Sequence, residues 1–490
     1  MNFVIIMTDT QSRNMVGAYG EKRMDTPNLD RLAAGGVRFD RAYTTCPLCT
    51  PARSGIFSGT HPTVNGAWCN NVAPSSTVPL MGTIFSHYGY TTAFVGKWHL
   101  DGSGYFGDGV AGGGFADAWW YDGKRYAQDV GHETFNRYRT GAEVDAADVW
   151  GHRVANRAVD FLKCRKTKDP FLLVASFDEP HGPYRAPAPF HEAFDTSSLE
   201  PPPNFGAPLP DKPRLQQIHR EHGWRDTPWE AFREKLRRLY ACNAAIDREI
   251  GRVIHAVEAF APEETTILYT SDHGDMQGAH GLSSKGPMMY EEIIHVPFIV
   301  KSPGCATGQV TQALASHVDI LPTLLDLASL PSPESLQGTS LAPTLRDPRQ
   351  QTRQHALTSF SRFAINHDDW GEFYPIRCIT DGRYKLAINL FDSDEFYDLQ
   401  TDPFELNNIL RQEGVSRVRD RLHDALLDEM DRIRDPFRSY RWGDRDWRSV
   451  RQPFYQGGKR RHAPRGFPFQ PVGIEADGTS TGGAPPAGGA

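Results

Sequence analysis

The sequence lacks the features that would mark a membrane protein, a nucleic-acid binder or a disulfide-stabilised secreted domain. No apolar run approaches the roughly 20 residues that a membrane-spanning helix needs. The 53 Lys and Arg are outnumbered by 60 Asp and Glu, whereas a surface that contacts nucleic-acid phosphates is basic. The seven cysteines are scattered and odd in number, so they do not form a disulfide framework. We therefore expect neither a membrane nor a nucleic acid as a partner.

The N-terminus also lacks the features of a signal peptide. Met1–Met7 is short, has no basic region and leads directly into Asp9, which is typical of a first core strand. The segment predicts a cytoplasmic protein, unless a leader preceded it. Hydrophobic residues make up 39% of the 490 residues and a further 45 residues are glycine, which is ordinary for a folded globular protein.

Short, continuous apolar runs alternate along the chain with longer helical patterns. The apolar runs are rich in β-favouring residues, as is typical of strands buried on both faces. They are Phe3–Met7, Thr92–Val95, Phe171–Ser176 and Thr265–Thr270. The helical patterns are Asn28–Ala34, Val149–Leu162 and Glu234–Ala259. This alternation predicts an α/β fold with a large, mainly parallel sheet sandwiched by helices.

The pattern changes after about residue 350. Ile376–Leu390 and Glu395–Leu399 are typical of strands in a small antiparallel sheet, and Val415–Arg434 is an amphipathic helical pattern. We expect a large domain over residues 1–355 and a smaller α+β subdomain, an antiparallel sheet plus a helix, over residues 356–450. Residues 451–490 form a basic, aromatic and Pro/Gly-rich tail whose end is predicted to be disordered.

Polar side chains follow each of the four predicted strands at its carboxyl end. The strands lead, in chain order, into Thr8-Asp9-Thr10-Gln11, Gly96-Lys97-Trp98-His99, Asp178-Glu179-Pro180-His181 and Ser271-Asp272-His273-Gly274-Asp275. Ligands of open α/β sheets bind at the carboxyl ends of the strands, so the four clusters predict one shared site. A single Asp after a strand is more often a cap or a turn residue, but four such clusters are difficult to explain in that way.

A fifth cluster begins at Cys46. Thr50-Pro51 resembles a helix start, which would place Cys49 at a helix N-terminus, where the helix dipole favours an anion. Three other interpretations stay open: a redox pair of Cys46 with Cys49, half of a zinc site, and a buried apolar thiol. The redox pair gives Pro51 and Arg53 no role, and the chain has no second cysteine pair for zinc.

These motifs, in this order, resemble those of the type I sulfatases. Cys49-Thr50-Pro51-Ala52-Arg53 with the following Ser58-Gly59 is similar to the family signature Cys-x-Pro-x-Arg and its trailing Thr/Ser-Gly. Gly96-Lys97-Trp98-His99 is similar to the family's Gly-Lys-x-His motif, and Asp272-His273-Gly274 with Lys285 is similar to its second metal and anion segment. The resemblance covers about residues 1–410. It implies an alkaline phosphatase-like fold, close to arylsulfatases and phosphonate monoester hydrolases, with residues 1–355 as the catalytic domain.

The resemblance implies that the protein hydrolyses sulfate esters of aryl, alkyl or sugar groups. The family's nucleophile is formylglycine, made by oxidation of the motif cysteine, here Cys49, so a formylglycine-generating enzyme is implied as a maturation partner. The implied catalytic residues are Cys49, Arg53, Lys97, His99, His181 and Lys285. Of these, Lys97, His181 and Lys285 would also bind the substrate, with His181 as the candidate general acid for the leaving oxygen. The alternatives are a turn histidine at His181 and solvated surface lysines at Lys97 and Lys285.

The metal ligands implied by the resemblance are Asp9, Asp272 and His273, with Thr10 and Cys49 completing the site. Two carboxylates suit a hard divalent cation such as Ca²⁺ or Mg²⁺, and the imidazole also admits Mn²⁺; we expect Ca²⁺. Many relatives carry a second acid at the position of Thr10, which offers only a neutral hydroxyl. Metal binding is therefore the point at which this chain departs from the family.

Two further functions stay open. A phosphonate monoester hydrolase or phosphodiesterase would use the same nucleophile, and an inactive binding homologue would keep the fold with Cys49 unmodified. The sequence also leaves open whether the chain forms a homo-oligomer.

Overall fold

A mixed eight-stranded sheet contains the four predicted strands. The computed structural model describes residues 1–20, 24, 26–165, 169–187, 190, 199–223, 227–262, 264–365, 373–448, 455–456 and 459–460. The strands of this sheet are β1 (Asn2–Thr8), β2 (Val37–Tyr43), β3 (Thr91–Gly96), β4 (Trp120–Tyr121), β5 (Phe171–Ser176), β6 (Thr265–Ser271), β7 (Phe298–Lys301) and β8 (Gln309–Ser316). Their order is β4-β3-β5-β1-β6-β7-β2-β8, and only the pairings of β7 with β6 and β2 are antiparallel. The prediction of a mainly parallel sheet is confirmed.

Helices cover both faces of this sheet. They are α1 (Pro27–Ala34), α2 (Cys49–Ser58), α3 (Pro62–Asn65), α4 (Met81–His87), α5 (Gly123–Val130), α6 (His132–Thr140), α7 (Trp150–Cys164), α8 (Arg214–Gly223), α9 (Trp229–Phe260), α10 (Glu291–Ile294), α11 (Ile320–Leu327) and α12 (Ala342–Arg346). Alternate residues of β1 point to opposite faces. Val4 and Ile6 belong to one core cluster with α1, α7 and α9, and Phe3 and Ile5 belong to another with α2, α4 and α11. None of the helices in the described ranges is long and apolar enough to cross a membrane.

A second, four-stranded antiparallel sheet follows in the C-terminal part of the chain. Its strands are β9 (Ala356–Phe360), β10 (Ile376–Thr380), β11 (Tyr384–Asn389) and β12 (Glu395–Asp398), in the order β12-β11-β10-β9. Helix α13 (Ser416–Arg432) packs Leu422 and Leu426 against Ile379 and Leu386 of this sheet. The predicted antiparallel strands and helix are thus present, and β9 is an addition to the prediction. Within 451–490, the structure describes only β13 (Tyr455–Gln456) and β14 (Lys459–Arg460); the rest of the predicted tail lies outside the described residues.

Candidate active site

The carboxyl ends of β1, β3, β5 and β6 lie at one edge of the large sheet. These four strands are neighbours in the order β3-β5-β1-β6 and are all parallel. Asp9, Lys97, Asp178 and Asp272 follow them in the sequence. Because neighbouring parallel strands end at the same edge, the topology brings these four side chains together. All four are buried.

Cys49 is the first residue of helix α2 and lies inside this cluster. Its Sγ is 2.9 Å from Nζ of Lys285, 3.3 Å from Nε2 of His273 and 3.8 Å from Oδ1 of Asp9. Burial and Asp9 raise the pKa of the thiol, but Lys285, Lys97 and His273 outweigh them and hold that pKa well below its ordinary value. The surroundings of Cys49 therefore favour an anion.

Arg53, one turn further along α2, ties two of the carboxylates together. Its Nε donates to Oδ2 of Asp272 at 2.9 Å and its Nη2 to Oδ2 of Asp9 at 3.1 Å. Its Nη1 donates to the carbonyl oxygen of Lys97 at 2.6 Å. The guanidinium is fully buried, and a buried charge needs such partners. Arg53 thereby fixes both aspartates and occupies their Oδ2 atoms.

The side chains of Asp9, Cys49, Asp272 and His273 could hold a metal ion. Each offers one ligand atom, and these atoms all lie within 4.8 Å of one another. Nδ1 of His273 is 2.9 Å from the carbonyl oxygen of Gly274; the carbonyl only accepts, so Nδ1 is the donor and Nε2 faces the cluster. Burial lowers the pKa of His273, but Asp272 and Cys49 outweigh it and raise that pKa above its ordinary value. A metal ion would bind the neutral ring through the lone pair of Nε2. Burial and the charge of Asp9 raise the pKa of Asp272 to about 7. Two close carboxylates and an imidazole fit a hard divalent cation.

Thr10 lies against the same two carboxylates. Its Oγ1 donates to Oδ1 of Asp9 at 2.6 Å, and its backbone N–H donates to Oδ1 of Asp272 at 3.2 Å. Its φ of 68° is in the left-handed region. The side chain of Gln11 instead bonds to Asn243 and Tyr269 in the core, so Thr10 is the neighbour of Asp9 that reaches the cluster.

The two predicted lysines are both buried, which excludes the interpretation that they are solvated surface lysines. Nζ of Lys97 is 2.8 Å from Oδ2 of Asp9 and 3.1 Å from Oδ1 of Asp178. It also lies 3.6 Å from the ring centroid of Tyr105, at cation–π distance. Nζ of Lys285 is 3.7 Å from Oδ1 of Asp9, in addition to its contact with Cys49.

The imidazole ring of His99 is held in one orientation by Asn71. Its Nε2 is 2.9 Å from Oδ1 of Asn71, and because the amide oxygen only accepts, Nε2 carries the hydrogen. Nδ1 of His99 is buried and has no hydrogen-bond partner among the described residues. Burial lowers the pKa of the imidazole, while its interaction with Cys49 acts in the opposite direction. A neutral His99 therefore has its lone pair on Nδ1.

His181 differs from the other five predicted catalytic residues because it is half-buried, whereas they are buried. Its Nδ1 is 2.9 Å from Oη of Tyr105 and 2.8 Å from the carbonyl oxygen of Gly182. His181 is thus the one of the six that solvent, and a bulky substrate group, can reach most easily.

Tyr105, Asp178 and Asn71 contact predicted catalytic residues but have no predicted role. Asp178 could have been found, because it follows β5 in the same way as Asp9 follows β1. Tyr105 and Asn71 lie in loops, and no motif marks them. The sequence Trp119-Trp120-Tyr121 has the composition of a surface for stacking on a substrate ring. Trp120 and Tyr121 are instead buried in β4, where Trp120 stacks on Phe94, and the half-buried Trp119 packs edge-on against Phe161.

Comparison with known proteins shows that the chain is similar to sulfatases along most of its length. The family model described as Sulfatase matches residues 1–330, and the model described as N-sulphoglucosamine sulphohydrolase, C-terminal, matches residues 278–432. The "Uncharacterized sulfatase YidJ" of Escherichia coli is 40% identical over 480 residues, which are 95% of this chain and 94% of that protein. The ulvan-active sulfatase of Formosa agariphila is 29% identical over 452 residues, which are 89% of this chain and 82% of that protein.

A solved structure has a similar fold. A protein in complex with its substrate, D-glucosamine-2-N,6-O-disulfate, has a TM-score of 0.74 and 21% sequence identity; the match covers 89% of this chain and 98% of that one. At that identity the likeness concerns the fold alone.

Proposed function

The chain belongs to the sulfatase family, in the alkaline phosphatase-like superfamily, and to the class of sulfuric ester hydrolases; from this premise, we propose that it hydrolyses its substrate at the cluster around Cys49. We further propose that Cys49 is converted to formylglycine by a maturation enzyme of the host. One divalent cation, Ca²⁺ in our proposal, would be held by Asp9, Asp272 and His273 beside Thr10 and residue 49.

The observation that carries this proposal is the position of Cys49 at the start of α2 with Lys285 at 2.9 Å. A sulfate ester is an anion, so a nucleophile can approach it only where positive charge is preorganised. Arg53, Lys97 and Lys285 supply three buried cationic groups. Three buried carboxylates face them: Asp9 and Asp272, which Arg53 holds, and Asp178, which lies beside Lys97. Lys285 is the cation that lies next to residue 49. The first turn of a helix adds the positive end of its dipole.

A divalent cation and formylglycine would complete this chemistry. A divalent cation at the aspartates would supply positive charge at the sulfate oxygens and lower the pKa of the attacking hydroxyl. Formylglycine at position 49 would supply a hydrated aldehyde, whose two hydroxyls offer a nucleophile for sulfur and a route for the release of sulfate.

The remaining roles fall to side chains already in place. Lys97 and Lys285 bind sulfate oxygens, and Arg53 donates to one carboxylate oxygen of each aspartate and so orients both. Nδ1 of His99 would be the proton acceptor toward residue 49, because Nε2 is committed to Asn71. His181 gives a proton from Nε2 to the leaving oxygen, since its Nδ1 is engaged with Tyr105 and Gly182.

We propose a sulfated saccharide as the substrate. The support is the ulvan-active relative, which is similar along most of both chains. The half-buried position of His181 agrees with a leaving group that extends out of the cluster while the sulfate group is enclosed.

The direct test is to co-produce the chain with a formylglycine-generating enzyme and measure both maturation and turnover. The mass of the peptide that contains Cys49 should show replacement of the thiol by an aldehyde, and the matured protein should release sulfate from sulfated sugars and aryl sulfates. An unmodified peptide together with full turnover would contradict the nucleophile. A modified peptide that releases no sulfate from any ester tested would contradict the function.

A further inference from the structure

We propose that Tyr105 and Asp178 form a positioning relay for His181. The relay fixes the imidazole ring with a hydrogen on Nδ1, so that Nε2 gives the proton to the leaving group. The relay is the hydrogen-bonded series Asp178, Tyr105 and His181. This inference rests on the proposed function, because it assumes that His181 is the general acid. Tyr105 and Asp178 act through His181 and Lys97, so we describe them as positioning residues.

The direction of each hydrogen bond in the relay follows from its acceptors. Oη of Tyr105 donates to Oδ1 of Asp178, because a carboxylate only accepts. The phenol hydrogen is therefore committed, and Oη turns a lone pair toward Nδ1 of His181 at 2.9 Å. The carbonyl oxygen of Gly182, 2.8 Å from the same Nδ1, also only accepts. Nδ1 of His181 must then carry a hydrogen, and Nε2 is the atom that gains and loses the catalytic proton.

The charges around the relay keep Asp178 ionised and Tyr105 protonated. Burial raises the pKa of Asp178, but Lys97, His181 and Arg185 outweigh it, so Asp178 is a carboxylate. Burial and Asp178 hold the pKa of Tyr105 well above its ordinary value, so the phenol keeps its proton. Nζ of Lys97 is 3.1 Å from Oδ1 of Asp178, and Nη1 of Arg185 is 3.4 Å from Oδ2.

These contacts give the relay a defined part in the leaving-group step. As the bond between sulfur and the leaving oxygen breaks, the proton on Nε2 of His181 passes to that oxygen. The neutral imidazole retains its hydrogen on Nδ1, and the phenol hydrogen stays between Tyr105 and Asp178. No proton leaves Tyr105 or Asp178. The phenol, held by Asp178, keeps the imidazole in one orientation, in which Nε2 is the nitrogen that faces the leaving oxygen.

Tyr105→Phe is the variant that tests the relay, because it removes the hydroxyl and keeps the ring over Lys97. The matched control is Tyr121→Phe in β4. It removes a hydroxyl that donates to Asp129 of α5 at 3.0 Å. Both variants are compared with the matured wild-type enzyme on a series of aryl sulfates, from acidic nitrophenols to phenol itself. A good leaving group needs no general acid, whereas phenol does.

We expect Tyr105→Phe to lower kcat/KM by about ten- to a hundredfold for phenyl sulfate and by less than about threefold for the nitrophenyl esters. Tyr121→Phe should leave the leaving-group dependence unchanged. A uniform loss over the whole series for Tyr105→Phe would overturn the relay, because a merely structural role weakens all esters alike.

His181→Asn separates this inference from the function on which it rests. If His181→Asn makes the leaving-group dependence steeper and Tyr105→Phe does not, the relay is wrong and the general acid stands. If neither variant steepens it, the general acid itself is wrong, and the relay fails with it. Should Tyr105→Phe not fold, a measurement on the wild-type chain carries the test. Histidine-selective nitrogen NMR of the unmatured protein gives a readout apart from turnover: the His181 signal should report a hydrogen on Nδ1, and a hydrogen on Nε2 alone would overturn the relay.

Discussion

Lys285 Nζ and Cys49 Sγ are 2.9 Å apart, although 236 positions separate the two residues in the chain. Both side chains are buried, and the ammonium group lies beside the proposed nucleophile. The loop after β6 is thereby joined to the start of α2, and the point of contact is where positive charge is needed for an anionic ester.

The two neighbouring cysteines should differ sharply in their effect on turnover. Cys49→Ala is expected to lower kcat by more than about a thousandfold, because it removes the covalent route. Cys46→Ala is the matched control: Cys46 is also buried, but burial raises the pKa of its thiol well above its ordinary value. It should change kcat by less than about threefold and lower the free energy of unfolding by about 1 kcal/mol. Equal losses in steady-state assays would instead favour the redox pair.

Metal removal should abolish activity. Exhaustive chelation takes away the cation. The variants Asp9→Asn and Asp272→Asn each take away a negative charge that holds it. Asp117→Asn is the control, because the side chain of Asp117 is 76% exposed and pairs with Arg125 at the surface. Elemental analysis should show metal loss in the first two variants only, together with loss of turnover. Full activity of protein shown to be metal-free would contradict the metal proposal.

Thr10→Asp should tighten metal binding. Oγ1 of Thr10 is 2.6 Å from Oδ1 of Asp9, so an Asp at this position would place a further carboxylate beside the ligand oxygens. The φ of 68° also suits Asp better than the β-branched Thr. Thr10→Asn, which has the same shape without the charge, is the control. Calorimetric titration with Ca²⁺ should give a lower Kd for Thr10→Asp than for Thr10→Asn, and equal values would show that position 10 does not contact the metal.

The strands and the position of the site could be predicted because both depend on local patterns. Phe171–Ser176 is continuous and apolar since β5 is buried on both faces, and the polar residues after it mark the carboxyl end of a parallel strand. Helix α9 was predicted from the same periodicity, although it begins earlier, at Trp229. Our proposed division at residues 355 and 356 rests on a similar change of pattern, and β9 begins at Ala356.

The contacts between loops could not be predicted, because they are set by tertiary packing. Tyr105 lies in a Gly-rich loop after β3, and only the folded chain brings its ring over Lys97 and its hydroxyl to Asp178. In the same way, Trp120 and Tyr121 have the composition of a sugar-stacking surface. Their burial follows from the pairing of β4 with β3, which places both rings inside the molecule.

The choice between sulfate and phosphorus esters is the sharpest test of the assignment. A sulfate monoester, a phosphodiester and a phosphonate monoester each carry one negative charge at pH 7, whereas a phosphate monoester carries up to two, since its second pKa is about 6. With Thr10 neutral, the cations Arg53, Lys97 and Lys285 face the carboxylates of Asp9, Asp178 and Asp272. This balance of charge does not separate the singly charged esters. We therefore expect measurable turnover of all three, with sulfate first because of the family, and phosphate monoesters last. The measurement is kcat/KM for esters that share one aryl leaving group, so that only the transferred group differs. A phosphonate or diester that exceeds the sulfate tenfold, which is about 1.4 kcal/mol of transition-state preference, would replace the sulfatase reaction by phosphonate monoester or phosphodiester hydrolysis with the same nucleophile.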